Sequence, residues 1–127
     1  MKNHEVAELL RNIAQLLEIK NELVFKIRAY EKAALVIDNL DKDIEEVWKQ
    51  GKLDDIPGVG EALTKKIGEF LETGKLEYYE KLKKEVPVDM EEFGRVPGLG
   101  PKTIMKLYNQ LGVKNLKDLE KVARQKK

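Results

Sequence analysis

The chain has 127 residues, 24 Lys and Arg against 23 Asp and Glu, no cysteine and one histidine, His4. It is long enough for one compact unit or two small ones sharing a core. Disulfides and thiolate chemistry are excluded, and no ligand set remains for a structural zinc ion. No apolar run approaches the roughly 18 residues of a membrane span and no signal-peptide core follows Met1, so a soluble, cytoplasmic protein is expected.

In chain order, Asn3 is placed to cap a first helix running to about Ile19, with Val6, Leu9, Leu10, Ile13, Leu16 and Leu17 on one stripe at helical spacing. Asn21 is expected to cap a second, from Glu22 to Asp38, with Leu23, Ile27, Tyr30, Ala34 and Ile37 inward. Asp41 is expected to cap a short third helix carrying Ile44, Val47 and Trp48 and ending at Gly51. Ile56-Pro57-Gly58-Val59-Gly60 then makes a tight bend that opens a helix to about Thr73, with Gly74 as its stop. A helix over Leu76 to Glu85 follows. Pro87 breaks that pattern, and Val86 to Arg95 reads as a turn-like hinge. A second bend, Val96-Pro97-Gly98-Leu99-Gly100, leads through Pro101 into a helix ending near Leu111, and Leu116 to Arg124 is the last. No stretch alternates long enough for a strand, so the fold is expected to be all-α.

The two bends lie forty residues apart, and the repeat continues beyond them: Ile67 matches Leu107, Leu71 matches Leu111 and Leu76 matches Leu116. In each bend the glycines permit positive φ and close backbone approach, and a helix starting there points N–H groups and a positive dipole end outward, which suits a phosphate. Without a preceding strand or a third glycine, this is not a dinucleotide fingerprint. The pattern resembles the helix-hairpin-helix motif, a binder of the DNA backbone without sequence preference; the alternative is a plain turn between packed helices. Residues 91–127 hold nine basic and four acidic residues, so the basic surface is concentrated in the second repeat.

On the helix after the first bend, Leu63, Ile67, Phe70 and Leu71 mark the buried stripe. Lys65 falls opposite it and Lys66 on its flank, where a lysine can rest its stem on apolar surface and hold its amine at a cleft edge. An amine attacks a carbonyl only when neutral, which partial burial or a second cation such as Lys26 would favour. Lys26 and Tyr30 share a face, four residues apart.

Lys26 to Ile37, Ile56 to Gly60, Lys66 to Leu76 and Arg95 to Pro101, in this order and spacing, resemble the N-terminal region of family X DNA polymerases of the polymerase beta type, nearest to bacterial and archaeal members. The resemblance implies a helical bundle with two helix-hairpin-helix motifs, residues 1–86 forming a lyase-type domain and 91–127 a second hairpin that begins a following domain. It implies a DNA-repair protein that grips nicked or gapped duplex bearing a 5′-phosphate, in association with the bacterial or archaeal nucleoid. Lys66 matches the family's Schiff-base lysine, Lys26 a 5′-phosphate-binding lysine, and Tyr30 the tyrosine beside it. Gly58, Gly60, Lys65, Arg95, Gly98, Gly100, Lys102 and Lys106 complete the expected DNA-binding set. Carbonyls of Ile56, Val59, Gly94, Val96 and Leu99 match positions that hold a Na+ or K+ ion; no tightly bound cofactor is expected.

Three positions depart from the family pattern: Ala62 and Tyr78 stand where it has lysines, and Phe25 where it has a histidine. The carboxylates for nucleotidyl transfer would lie beyond residue 127, so the chain itself is not expected to polymerise DNA, and its partners would include polymerase domains of a longer chain. The alternatives are a 5′-deoxyribose phosphate lyase acting through Lys66, and a protein-interaction module.

Overall fold

A computed structural model describes residues 2–86, 90–93 and 95–125. The elements are α1 (Asn3–Ile19), α2 (Val24–Asp38), α3 (Ile44–Lys49), a 3-10 turn (Leu53–Asp55), α4 (Glu61–Thr73), α5 (Glu77–Glu85), α6 (Met90–Phe93), α7 (Pro101–Leu111) and α8 (Leu116–Gln125). Among the described residues there is no strand, and the architecture is an all-α bundle, as expected. No helix among them is long and apolar enough to cross a membrane.

The centre of the bundle is α1. All six residues of its expected stripe are buried, and Ala7, Ala14 and Ile19 join them. Burial on this scale is the main stabilising term, at about 1.5–3 kcal/mol for each large aliphatic side chain. α2 lies along α1, and α7 and α5 pack on other parts of it. Lys20 Nζ reaches Glu85 at 2.6 Å, and Asn109 Nδ2 donates to the Ile19 carbonyl at 3.1 Å, so the end of α1 is tied to both α5 and α7.

The helix boundaries correct three expected caps. Asn3 lies inside α1, with its side chain buried. Its Nδ2 donates to the Lys42 carbonyl at 2.7 Å, and its Oδ1 accepts from the Ile44 N–H at 2.8 Å. It therefore fixes the entry to α3 rather than its own helix. Asn21 closes α1 instead of opening α2. Its φ of 65° is left-handed, the Glu22 N–H bonds the Leu17 carbonyl and the Asn21 N–H bonds that of Glu18, which is a Schellman stop. Asp43, not Asp41, caps α3, accepting from the Glu45 N–H at 3.1 Å. Leu23, expected inward, precedes α2 and is 56% exposed.

The other boundaries agree closely. Gly51 and Gly74 both take positive φ at helix ends, and Pro101 occupies the first turn of α7. The stretch expected to be turn-like contains the single turn α6, whose Phe93 is fully buried. Pro87 and Gly94 lie outside the described residues. At Gly68 on α4 a Cβ would approach Trp48 Nε1 to 3.1 Å, so this glycine lets α3 and α4 pack closely.

Candidate nucleic-acid interface

The two bends repeat each other in backbone geometry. Gly58 and Gly98 both have φ of +85°, which a residue with a Cβ adopts only under strain. The turn hydrogen bond also recurs, Val59 N–H to the Ile56 carbonyl at 3.0 Å and Leu99 N–H to that of Val96 at 3.3 Å. Gly60 and Gly100 then cap α4 and α7 in extended conformations, with φ of −91° and −94°. Of the positive φ and close approach that the glycines permit, positive φ belongs only to the first glycine of each pair. The second opens space, since no atom lies within 4 Å of a Cβ built at Gly60 or Gly100.

No side chain caps either helix. The first-turn N–H groups of α4, and those of α7 after Pro101, which has none, are therefore free of side-chain caps beside exposed Gly58, Gly60 and Gly98 and half-buried Gly100, which is the geometry for an anion. The two ends differ in charge. The first turn of α7 has no acidic residue, and Lys102 lies in it. At α4, Glu61 occupies the first turn and Asp54 and Asp55 precede the bend, all exposed.

Lys26 is exposed at the start of α2, and Tyr30 one turn further on is buried. The Tyr30 ring stacks parallel to that of Tyr78, with centroids 6.4 Å apart and planes 8° from parallel. Burial, and then the neighbouring Tyr78, push the Tyr30 phenol above its ordinary range, so it stays un-ionised at neutral pH. Lys66 is half-buried on the flank of α4, as expected, with Nζ 4.9 Å from the centre of the Tyr78 ring. Lys66, Tyr78 and Tyr30 therefore form one connected group. With Lys65, Glu69, Glu77 and Lys81, the first two line an open pocket of about 290 Å³. Lys65 is exposed and pairs loosely with Glu61 at 3.9 Å. The sequence identifies Tyr78 as a departure from the family but not as the ring that receives Lys66, because that contact depends on how α5 packs on α4.

Lys102 and Lys106 are exposed on α7 and line a groove of about 520 Å³ with Glu18 of α1, Glu22 of the connection that follows it, and Arg28 and Glu31 of α2. Their charge is thus partly balanced within the molecule. Arg95 is exposed at the mouth of the second bend. The side chains of Ile56 and Val59 are buried and those of Val96 and Leu99 are half-buried, leaving glycine backbone and the exposed Pro57 and Pro97 on the outer surface of the bends. Gly94 lies outside the described residues. Leu23, Val24 and Phe25 form an exposed apolar tip at the start of α2, beside Lys26.

A duplicated hairpin of this geometry, each copy ending in an uncapped glycine-opened helix, defines a tandem helix-hairpin-helix protein. Residues 1–76 match the family model "Helix-hairpin-helix domain", and residues 90–126 match "SAM-like Helix-hairpin-helix tandem". The chain belongs to the helix-hairpin-helix domain family. It is 34% identical over its whole length to the DNA polymerase/3′-5′ exonuclease PolX of Bacillus subtilis, covering 22% of that protein. It is 38% identical over 93 residues, 72% of the chain, to DNA polymerase lambda of Arabidopsis thaliana, covering 17% of it. Against DNA polymerase lambda of Rattus norvegicus it is 28% identical over 121 residues, 95% of the chain and 20% of the relative. The chain thus spans about a fifth of the length of these relatives, and its homology to family X DNA polymerases runs through both hairpins.

Proposed function

We propose that this chain is a DNA-binding module that holds the backbone of nicked or gapped duplex without reading sequence, as part of a family X polymerase-like protein in DNA repair. The observation that carries this reading is the backbone identity of the two hairpins. Both present a left-handed glycine, an extended glycine cap and a helix start with no side-chain cap. Two outward-facing rows of N–H groups suit two phosphates, and such contacts position a protein on DNA without specifying bases. Lys26 beside Tyr30 would take the 5′-phosphate, with Lys65, Arg95, Lys102 and Lys106 adding attraction.

The carbonyls of Ile56 and Val59, and of Val96 and Leu99, would hold a Na+ or K+ ion between each hairpin and a phosphate. Their chemistry fits a singly charged hard cation, because neutral backbone oxygens supply the donors. The Ile56 and Val96 carbonyls each accept one turn hydrogen bond and keep a second lone pair. Bound there, the ion would offset phosphate charge.

Titration of nicked, gapped and intact duplexes at several salt concentrations tests the reading. Log affinity should fall with log salt by about 0.9 for each phosphate neutralised, for roughly three to five contacts, with preference for the gapped substrate. A flat salt response, or strong preference for one sequence, would overturn it.

A second reading is favoured by one observation. Lys66 lies half-buried at an open pocket. In a 5′-deoxyribose phosphate lyase, the neutral lysine amine would add to the ring-opened sugar aldehyde and lose water to form an imine. Removal of a C2′ proton would then break the C3′–O bond, leaving a 5′-phosphate on the DNA, and water would hydrolyse the imine to free Lys66. Borohydride reduction on 5′-deoxyribose phosphate DNA should leave an adduct on Lys66 that disappears in Lys66→Ala. No adduct, or one spread over Lys65, Lys75 and Lys81, would leave binding as the only role.

A further inference from the structure

The first hairpin has an electrostatic deficit that the second does not. Its approach carries Asp54 and Asp55, its helix begins with Glu61, and Ala62 supplies no charge. A phosphate at the α4 N–H groups would meet three carboxylates and, from this segment, only Lys52 and Lys65, the latter paired with Glu61. The structure brings in a cation from elsewhere. The stem of Lys32, on α2, runs across Gly58. A Cβ built at that glycine would lie 3.9 Å from Lys32 Cγ, 3.9 Å from Cδ and 4.0 Å from Cε. Three successive carbons at nearly equal distance mean that the side chain lies along the bend instead of pointing away from it. Its amine is one bond further, about 1.5 Å beyond Cε, and so within about 5.5 Å of the same point. Lys32 is exposed, and among the described residues no carboxylate pairs with it.

We infer that Lys32 is a DNA-phosphate ligand of the first hairpin, delivered across Gly58 by α2 in place of a cation at Ala62 in the first turn of α4. This assignment rests on the proposed DNA-binding function and adds a residue to it. A Cβ at Gly58 would stand in ordinary van der Waals contact with that stem, so the demand for glycine there comes from its positive φ. With the stem lying along the bend, the amine needs only a side-chain rotation to reach a phosphate there.

The test measures binding of gapped duplex with a 5′-phosphate by wild type, Lys32→Gln, Lys32→Arg and the double variant Lys32→Gln with Ala62→Lys, from 50 to 200 mM salt. Lys49→Gln, a surface lysine touching neither hairpin glycine, is the control. Loss of one phosphate contact should make the salt slope shallower by about 0.9 and weaken binding roughly eightfold near 0.1 M salt. Lys32→Arg and the double variant should recover most of the slope. Thermal melting should be unchanged in Lys32→Gln, since the side chain is exposed. If wild type binds and Lys32→Gln matches it in affinity and slope, or if Lys49→Gln loses as much, the assignment is overturned. If wild type binds no DNA, the parent function fails instead, which the wild-type curve alone reveals.

Discussion

Asn3 makes two hydrogen bonds at the start of α3, a part-buried one as donor to Lys42 and a buried one as acceptor from Ile44, some forty residues away in the chain. Replacing it with Ala would leave the Lys42 carbonyl and the Ile44 N–H without their partner. Each such loss costs about 1–3 kcal/mol when the orphaned group stays dry. Asn3→Ala should therefore lower stability by roughly 2 kcal/mol in denaturant unfolding, with far-UV helicity retained; a change under about 0.5 kcal/mol would mean that water replaces the amide. The residue type was legible as a helix-boundary signal, but the boundary it serves was not. Asn at the start of a periodic run can cap its own helix, end the previous one as Asn21 does, or reach across the fold as Asn3 does. Only the packing decides among them. Lys32 was missed for the same reason: its partner, Gly58, is 26 positions away and has no side chain.

Between α1 and α2, an ion cluster at the end of α2 joins the two helices at the surface. Asp38, in the last turn of α2, accepts from Arg11 Nη2 at 2.7 Å, and its other oxygen lies 3.5 Å from His4 Nδ1. The Arg11 hydrogen bond, and to a lesser degree the His4 contact, hold the carboxyl below its ordinary range against a partly opposing desolvation. A carboxylate with a depressed folded value contributes stability that is present above its unfolded pKa, about 3.9. That contribution is lost as pH falls through the lower folded value. Wild type should thus exceed Asp38→Asn in melting temperature at pH 6, and the two should converge once pH falls below the depressed folded value. Parallel curves over that range would show that the cluster contributes nothing to folding. At this scale the helices were readable because the α1 stripe follows the helical period without interruption. The single turn α6 was not, being too short for periodicity to register.

For the molecule as a whole, the two hairpin glycines separate folding from binding. Gly98 occupies left-handed space, so Gly98→Ala should cost about 1–2 kcal/mol of stability. Gly100 is extended, and a Cβ there would meet nothing within 4 Å, so Gly100→Ala should fold like wild type. Weaker DNA binding by Gly100→Ala, with an unchanged melting curve, would report close approach of the DNA backbone. Unaltered binding would mean that the second glycine only ends a turn. The forty-residue repeat made both hairpins legible in the sequence. The packing of α7 on α1, and the groove where Lys102 and Lys106 face Glu18, Glu22 and Glu31, was not, because helical periodicity does not say which helix a stripe will meet.

The bond from Asn109 to the Ile19 carbonyl also has a consequence in time. Chains leave the ribosome at about 5–20 residues per second. The ninety residues that separate these partners therefore take roughly 5–20 s to appear. Over that interval α1 can pair with α2 and later α5, but the surface destined for α7 stays uncovered. Release of nascent chains stalled before and after residue 111 should show the difference as protease sensitivity within α1, high in the shorter chain and suppressed once α7 has emerged.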